Sequence, residues 1–213
     1  MNKPAATTRV EDLPDDLPIF PLGGVLLLPQ GRLPLNVFEP RYLAMVEDAM
    51  AGRRLIGMIQ PHNDTSGIFK TGCAGKITEF SETDDGRFLI TLTGICRFDV
   101  EDELPQTKGY RRVKPGWAKF EKDLEEPGCP GLNKARLKEL LKKYFNQQDM
   151  TCDWDAVEGT PDGKLITCLA MICPFEPSEK QALLEAQCCR TRAEMFMTML
   201  EMAVCSTGCN KQH

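Results

Sequence analysis

A nucleophilic cysteine needs a base beside it, and this chain of 213 residues holds ten cysteines but only two histidines, His62 and His213. Cys73 and Cys96 fall in alternating apolar runs, where small buried thiols are expected rather than reactive ones. Thiolate and imidazole ligands spaced four apart occur in the tail "CSTGCNKQH", so Cys205, Cys209 and His213 form a candidate zinc set, with Cys188 and Cys189 as further thiols. The short CxxC spacing common in zinc modules is absent, and a frayed chain end is the competing reading. The segment "KGYRRVKPGWAKFEK" interleaves Tyr110, Trp117 and Phe120 with six basic residues, a pattern suited to stacking on bases and contacting phosphates. Its competing reading is a solvated strand face with the aromatics turned inward. Finally, "EPRY" sets Glu39 and Arg41 beside Tyr42.

Local physics makes "EPRY" the start of a helix. Pro40 suits the first turn, where its missing N–H is not needed. Tyr42, Leu43, Met45, Val46, Ala49 and Met50 recur at helical spacing, Gly52 offers a left-handed stop, and Phe38 and Leu43 are placed to clasp across the entry. Glu39 is not among the best capping residues, which leaves two roles: a charge near the positive end of the helix dipole, or an ion pair with a distant arginine. A local pair with Arg41 is not expected, because residues two apart do not face each other on a helix.

The elements around it divide the chain. "DLPIFPL", "RLPLNVF" and "RLIGMIQP" are short apolar runs interrupted or bounded by proline, as in edge strands. "GCAGKITEFSETDDGRFLITLTGICRFDVEDE" predicts a hairpin turning at "DDG". Its second arm is too long to be flat; Gly94 is the expected bend or bulge, and a bulge there exchanges the two faces beyond it. "GYRRVKPGWAKFEK" predicts a last strand pair. After "EEPGCPGLN" the periodicity becomes helical. A helix runs from Leu132 to Phe145 behind Asn133, a short one covers "DWDAVE", and one over "DGKLITCLAMIC" buries Leu165, Leu169 and Ile172. Capping boxes at Ser178/Gln181 and Thr191/Glu194 open two more.

The net charge of −5 argues against nucleic acid as the main partner, although Lys108 to Lys143 is locally basic. The N-terminal "MNKPAATTRVEDLPDD" is polar, with no apolar h-region of a signal peptide, and no run reaches the ~18 apolar residues of a membrane span, so a soluble cytoplasmic protein with reduced thiols is expected.

"FPLGGVLLLPQGRLPLNVFEPRY", "GCAGKITEF", "TGICRF" and "PSEKQALLEAQCCRTRAEMF", in this order and spacing, closely resemble the N-terminal substrate-binding domain of Lon proteases over Leu17 to Met202. The resemblance implies an α+β fold: a PUA-like β pseudobarrel with one inserted helix, then an α-helical bundle. The expected division is a flexible tail over residues 1–16, the β-rich part over 17–125, the bundle over 132–205 and a second tail over 206–213. It further implies recognition of unfolded or partly unfolded polypeptides, with a separate protease or chaperone as a further partner. No cofactor, no membrane and no catalytic residue is expected. The full proteases carry an ATPase and a Ser–Lys peptidase, and this sequence contains no GxxxxGK loop, so neither activity is expected here. The candidate peptide contacts are Glu39, Arg41, Tyr42, Arg97, Tyr110 and Trp117, with a Glu39–Arg97 ion pair bridging helix and sheet as the structural role for those two. RNA binding through residues 108–122 is the alternative function.

Overall fold

A computed structural model of the chain describes residues 9–62, 67–125, 128–129 and 131–209, with side chains through Cys205. The chain divides into two compact units, Met1–Glu126 and Pro127–His213. The first holds β1 (Leu17–Pro21), β2 (Arg32–Val37), α1 (Pro40–Ala51), β3 (Leu55–Ile59), β4 (Thr71–Glu82), β5 (Phe88–Thr107) and β6 (Tyr110–Gly116). Short 3₁₀ turns stand at Val10–Asp12 and Ala118–Leu124. The second turn replaces the final strand expected there.

The strands run in the order β2-β5-β4-β3-β1-β6, and β5 also pairs with β6. The sheet therefore closes into a ring of β5, β4, β3, β1 and β6, the pseudobarrel that the resemblance implies. Among the described strands only the β1–β3 pair is parallel. β2 pairs with β5 alone, through residues 88 to 93, and so forms the open edge among the described strands.

β5 can serve two apolar layers because it carries a bulge where the sequence predicts one. Ile77 of β4 faces Leu92, whereas Ala74 faces Cys96, with a register shift between Ala74 and Gly75. Residues 74 and 77 of a strand point to opposite faces. Leu92 and Cys96, both even-numbered, consequently lie on opposite sides of the sheet. Beyond the bulge, Cys96 and Phe98 enter one buried cluster with Leu17, Ile19, Ala74, Val113, Trp117 and Phe120. At the bulge, the Gly94 N–H donates to Gly31 O and its carbonyl accepts from Gln30 N–H at 2.8 Å. A Cβ on Gly94 would lie 2.0 Å from Leu28 O, so no larger residue fits.

α1 buries Tyr42, Met45, Val46 and Ala49, the centre of the expected face. Its ends depart from expectation. Phe38 is 62% exposed and does not clasp the helix entry. Gly52 is not left-handed; Arg54 takes that conformation (φ 60°) and its N–H bonds to Ala49 O. The chain is also held earlier than the tail expected to residue 16. The Trp117 Nε1–H donates to Pro14 O at 3.0 Å, and Arg112 pairs with Asp16. Residues 1–8 of that tail lie outside the described residues.

The second unit holds α2 (Lys134–Gln147), α3 (Trp154–Gly159), α4 (Asp162–Ile172), α5 (Pro177–Glu185) and α6 (Cys189–Cys209). Asn133 and Asp153 cap α2 and α3 through their side chains. Leu137, Leu141, Leu165, Leu169, Leu183, Phe196 and Leu200 are buried, with Phe175 between Tyr144 (ring centroids 6.0 Å) and Phe196 (5.5 Å). Ile172, expected on the buried face of α4, is 60% exposed because the helix ends there and Cys173 takes extended backbone. The α5 box is formed by Glu176 and Glu179, not Ser178 and Gln181, since Pro177 occupies the first turn and moves the cap one residue ahead of it. Thr191 lies inside α6, whose first turn is closed by Arg192 N–H to Cys188 O. That helix continues to Cys209, past the start of the expected tail.

Candidate functional site

The six residues singled out in the sequence do not form one site: Glu39, Arg41 and Tyr42 adjoin one another, whereas Arg97 is engaged elsewhere with Asp123. Glu39 has extended backbone (φ −72°, ψ 132°), and its Oε2 accepts from Arg41 Nε at 2.9 Å. The local pair excluded by helix spacing therefore forms, because Glu39 precedes the helix and the i,i+2 rule does not govern it. Both side chains are about half exposed. Arg41 also sits 4.5 Å above the ring of Tyr42, which is buried 4.1 Å from Phe20. Burial raises the Tyr42 hydroxyl above its ordinary range, Glu39 adds to this, and Arg41 and Arg111 oppose it.

Arg97 does not meet Glu39. It is 3% exposed, and its Nε and NH2 donate to the two carboxylate oxygens of Asp123 at 2.7 and 2.8 Å. Its backbone N–H donates to Asp123 as well, at 3.0 Å, and its guanidinium lies 4.6 Å from the Phe120 ring. The partner comes from the 3₁₀ turn that sequence reasoning read as strand. Beside it, burial pushes the Cys96 thiol up to about 12, with Asp123 reinforcing the shift. A thiol held neutral in this way is no nucleophile.

The basic-aromatic segment is internally neutralised. Tyr110, Trp117 and Phe120 are buried, so none offers a face for a base. Lys108 pairs with Asp48, Arg111 with Glu103, Lys114 with Glu101 and Lys119 with Asp99. Hydrogen bonds from Lys108 and Tyr110 hold the Asp48 carboxyl below its ordinary range. Tyr110, Asp48, Arg53 and Arg112 border a cavity of about 440 Å³ whose floor includes Leu17 and Leu55. The RNA reading loses its stacking platform here. As for zinc, Cys205 is exposed, while the Cys209 side chain and His213 lie outside the described residues. Among the described residues no group of three or more His, Cys, Asp or Glu is placed to hold a metal.

The surface that sequence reasoning missed lies along the open edge. Leu89 is 43% exposed and Phe80 41% exposed, and Phe38 directly follows β2. Leu89 pairs with Asn36 and Ser81, whereas Phe80 pairs with Ile90, so the two stand on opposite faces. On the Leu89 side a groove of about 590 Å³ runs past Pro34, Asn36, Glu79 and Ser81. On the Phe80 side, the Phe80 ring lies tilted by 60° against Phe88 at a centroid distance of 5.0 Å, and Leu35 pairs with Ile90. Both faces of the sheet near its open edge thus carry exposed apolar side chains, Leu89 on β5 next to β2 and Phe80 on β4 one strand further in. The signal was present in the sequence: strict alternation in β5 already turns Leu89 outward.

A model of the "ATP-dependent protease La (LON) substrate-binding domain" matches residues 16–202. Similar curated proteins include Lon protease 2 of Myxococcus xanthus, 24% identical over 92% of this chain and 25% of its own length. Lon protease of Dictyoglomus thermophilum is 28% identical over 83% of this chain and 23% of its own length. The chain thus spans a quarter or less of the length of the curated relatives it matches. Among solved structures, a Lon N-terminal domain protein from Xanthomonas campestris superposes with TM-score 0.62 at 22% identity, covering 86% of this chain and 97% of that one. The N-terminal domain of Mycobacterium avium complex Lon protease gives the same TM-score at 16% identity, over 89% and 98%. These two show a shared fold. No helix among the described residues is long and apolar enough to cross a membrane.

Proposed function

The chain belongs to the family of Lon substrate-binding domains, and from that premise we propose that it binds exposed apolar segments of unfolded polypeptides at the β2 edge, without ATP and without cleaving them. The observation that supports this reading is the exposure of Leu89 on β5, the strand next to β2, and of Phe38 just after β2, the described strand whose outer side is open, with exposed Phe80 one strand further in on β4. An extended segment laid beside β2 would alternate its side chains between the two faces and meet apolar surface on each. Backbone pairing is sequence-tolerant, which suits recognition of varied unfolded chains. Pro34 withholds one N–H and interrupts that pairing. Ordering a disordered segment adds its own cost, so affinity is micromolar or weaker. In the cytoplasm such a module would act as an adaptor in protein quality control, passing bound chains to a separate protease or chaperone.

The test is a titration of a fluorescently labelled, permanently unfolded polypeptide, with a folded protein and a structured RNA as controls. Saturable binding is expected, weakened at least tenfold in the variant carrying Phe80→Ser and Leu89→Asp. No saturable signal up to ~100 µM, equivalent to about −5.5 kcal/mol, refutes the proposal. Binding of RNA alone restores the alternative. The same preparation is expected to show neither ATPase nor peptidase activity.

A further inference from the structure

Away from β2, the cavity of about 440 Å³ in the first unit opens among the end of α1, the residues leading into β1 and the β5–β6 hairpin. It shares no lining residue with the groove beside Leu89. Its size falls at the small end of the ~300–1,000 Å³ usual for ligand sites, and its lining of Pro14, Leu17, Pro18 and Leu55 is apolar as theirs is. The walls are tied in place. Trp117 Nε1–H holds Pro14 O at 3.0 Å, and the Tyr110 hydroxyl donates to Asp48 at 2.9 Å.

The charges at the rim do not cancel. Arg112 turns its fork to Asp16, with Nε at 3.0 Å from Oδ1, and gives NH1 to Thr107 Oγ1 at 2.9 Å. Asp48 takes Lys108 Nζ at 2.6 Å besides Tyr110. Arg53 is exposed and, among the described residues, donates to a backbone carbonyl, Asp12 O, and meets no carboxylate. Two neutral pairs and one surplus guanidinium therefore border an apolar floor. A cationic ligand would find both carboxylates engaged, and a neutral one would leave Arg53 without a counter-charge.

We propose that this cavity binds a small monocarboxylic acid with a compact aryl or alkyl body, its carboxylate on Arg53 and its body over Leu17 and Leu55. The planar guanidinium matches a carboxylate through two parallel hydrogen bonds. Because Arg53 is exposed, that ion pair is salt-sensitive. Because the walls are already tied, they need no reordering when the acid enters.

The test is titration of the isotope-labelled full chain with phenylacetate or octanoate, followed by NMR. Saturable amide shifts below ~5 mM are expected, centred on Asp48, Arg53, Leu55, Tyr110 and Arg112. Phenylacetamide and phenethylammonium should bind at least about tenfold more weakly, since neither offers a carboxylate. Raising sodium chloride from about 50 to about 500 mM should weaken both acids by about threefold or more. Arg53→Gln should lose about fivefold or more of the affinity, with Arg53→Lys in between, and a melt like that of wild type shows each variant to be folded. No saturable shift, shifts centred on the groove beside Leu89, or equal binding of acid and amide overturns the proposal. A short peptide ending in phenylalanine separates a free acid from a chain terminus: binding by that peptide, with neither free acid bound, overturns the assignment to small acids. The amide and salt comparisons use the wild-type chain and decide the matter even where a variant fails to fold.

Discussion

Two arginines of the early motifs show how burial, rather than residue type, sets an ion pair's worth. Arg97 and Asp123 are both nearly buried and share two side-chain hydrogen bonds, whereas Arg41 and Glu39 are about half exposed. Asp123→Ala strands a guanidinium in the core and should cost about 3–5 kcal/mol. Glu39→Gln should cost about 0–1 kcal/mol, because solvent already screens that pair. Urea denaturation of the two variants checks the contrast; equal losses would place Glu39 in a buried role. Asp48 supplies a pH signature. Its folded-state pKa is depressed by Lys108 and Tyr110, so its contribution is complete above the ordinary carboxylate range and is lost as pH falls through the folded value. In Asp48→Asn the acid limb of the stability profile should flatten, with stability near pH 7 lowered and the difference from wild type vanishing once pH has fallen below the depressed folded value.

Among the elements, β5 depends most on a single residue. Gly94→Ala would drive a methyl group into Leu28 O, and since backbone rather than a flexible side chain is in the way, destabilisation of about 3 kcal/mol or more is expected. A thermal melt of the soluble variant, or its failure to accumulate folded, is the readout; a melt like that of wild type would mean that the bulge can relax. This bulge was legible in the sequence, as were the "DDG" hairpin, the α1 core face and the side-chain cap at Asn133, since each rests on near-neighbour geometry. What was not legible rests on distant partners. Asp123 joins Arg97 only because residues 118–124 coil back as a 3₁₀ turn, and no local periodicity announces that. The end of α4 was misread at Ile172 for a related reason: helical spacing assigns a face but not the turn at which packing stops. Of the proposed surface, only the outward position of Leu89 could be read beforehand. The openness of β2 is a property of the whole strand order.

At the scale of the molecule, the β ring and the helices form separate compact units, and every strand pairing described lies in the first. A fragment ending at Glu126 should therefore fold cooperatively and keep the unfolded-polypeptide affinity within about threefold of the full chain, since small single domains unfold as units. Residues 127–213 alone should show none of that binding. Isothermal titration with both fragments tests this, and binding confined to the helical fragment would move the site off β2. A closed ring also has a bearing on the protein's own solubility. A protein that presents sheet edges to unfolded chains risks becoming a seed, because each captured strand exposes a fresh edge for the next. Here the ring leaves one described edge, and Pro34 sits in it without an N–H to offer. On the proposed reading, such an edge would accept a single visitor imperfectly and hold it loosely. It would favour capture that ends with one bound chain over growth of a fibre, so a handler of aggregation-prone polypeptides avoids templating the state it would otherwise suppress.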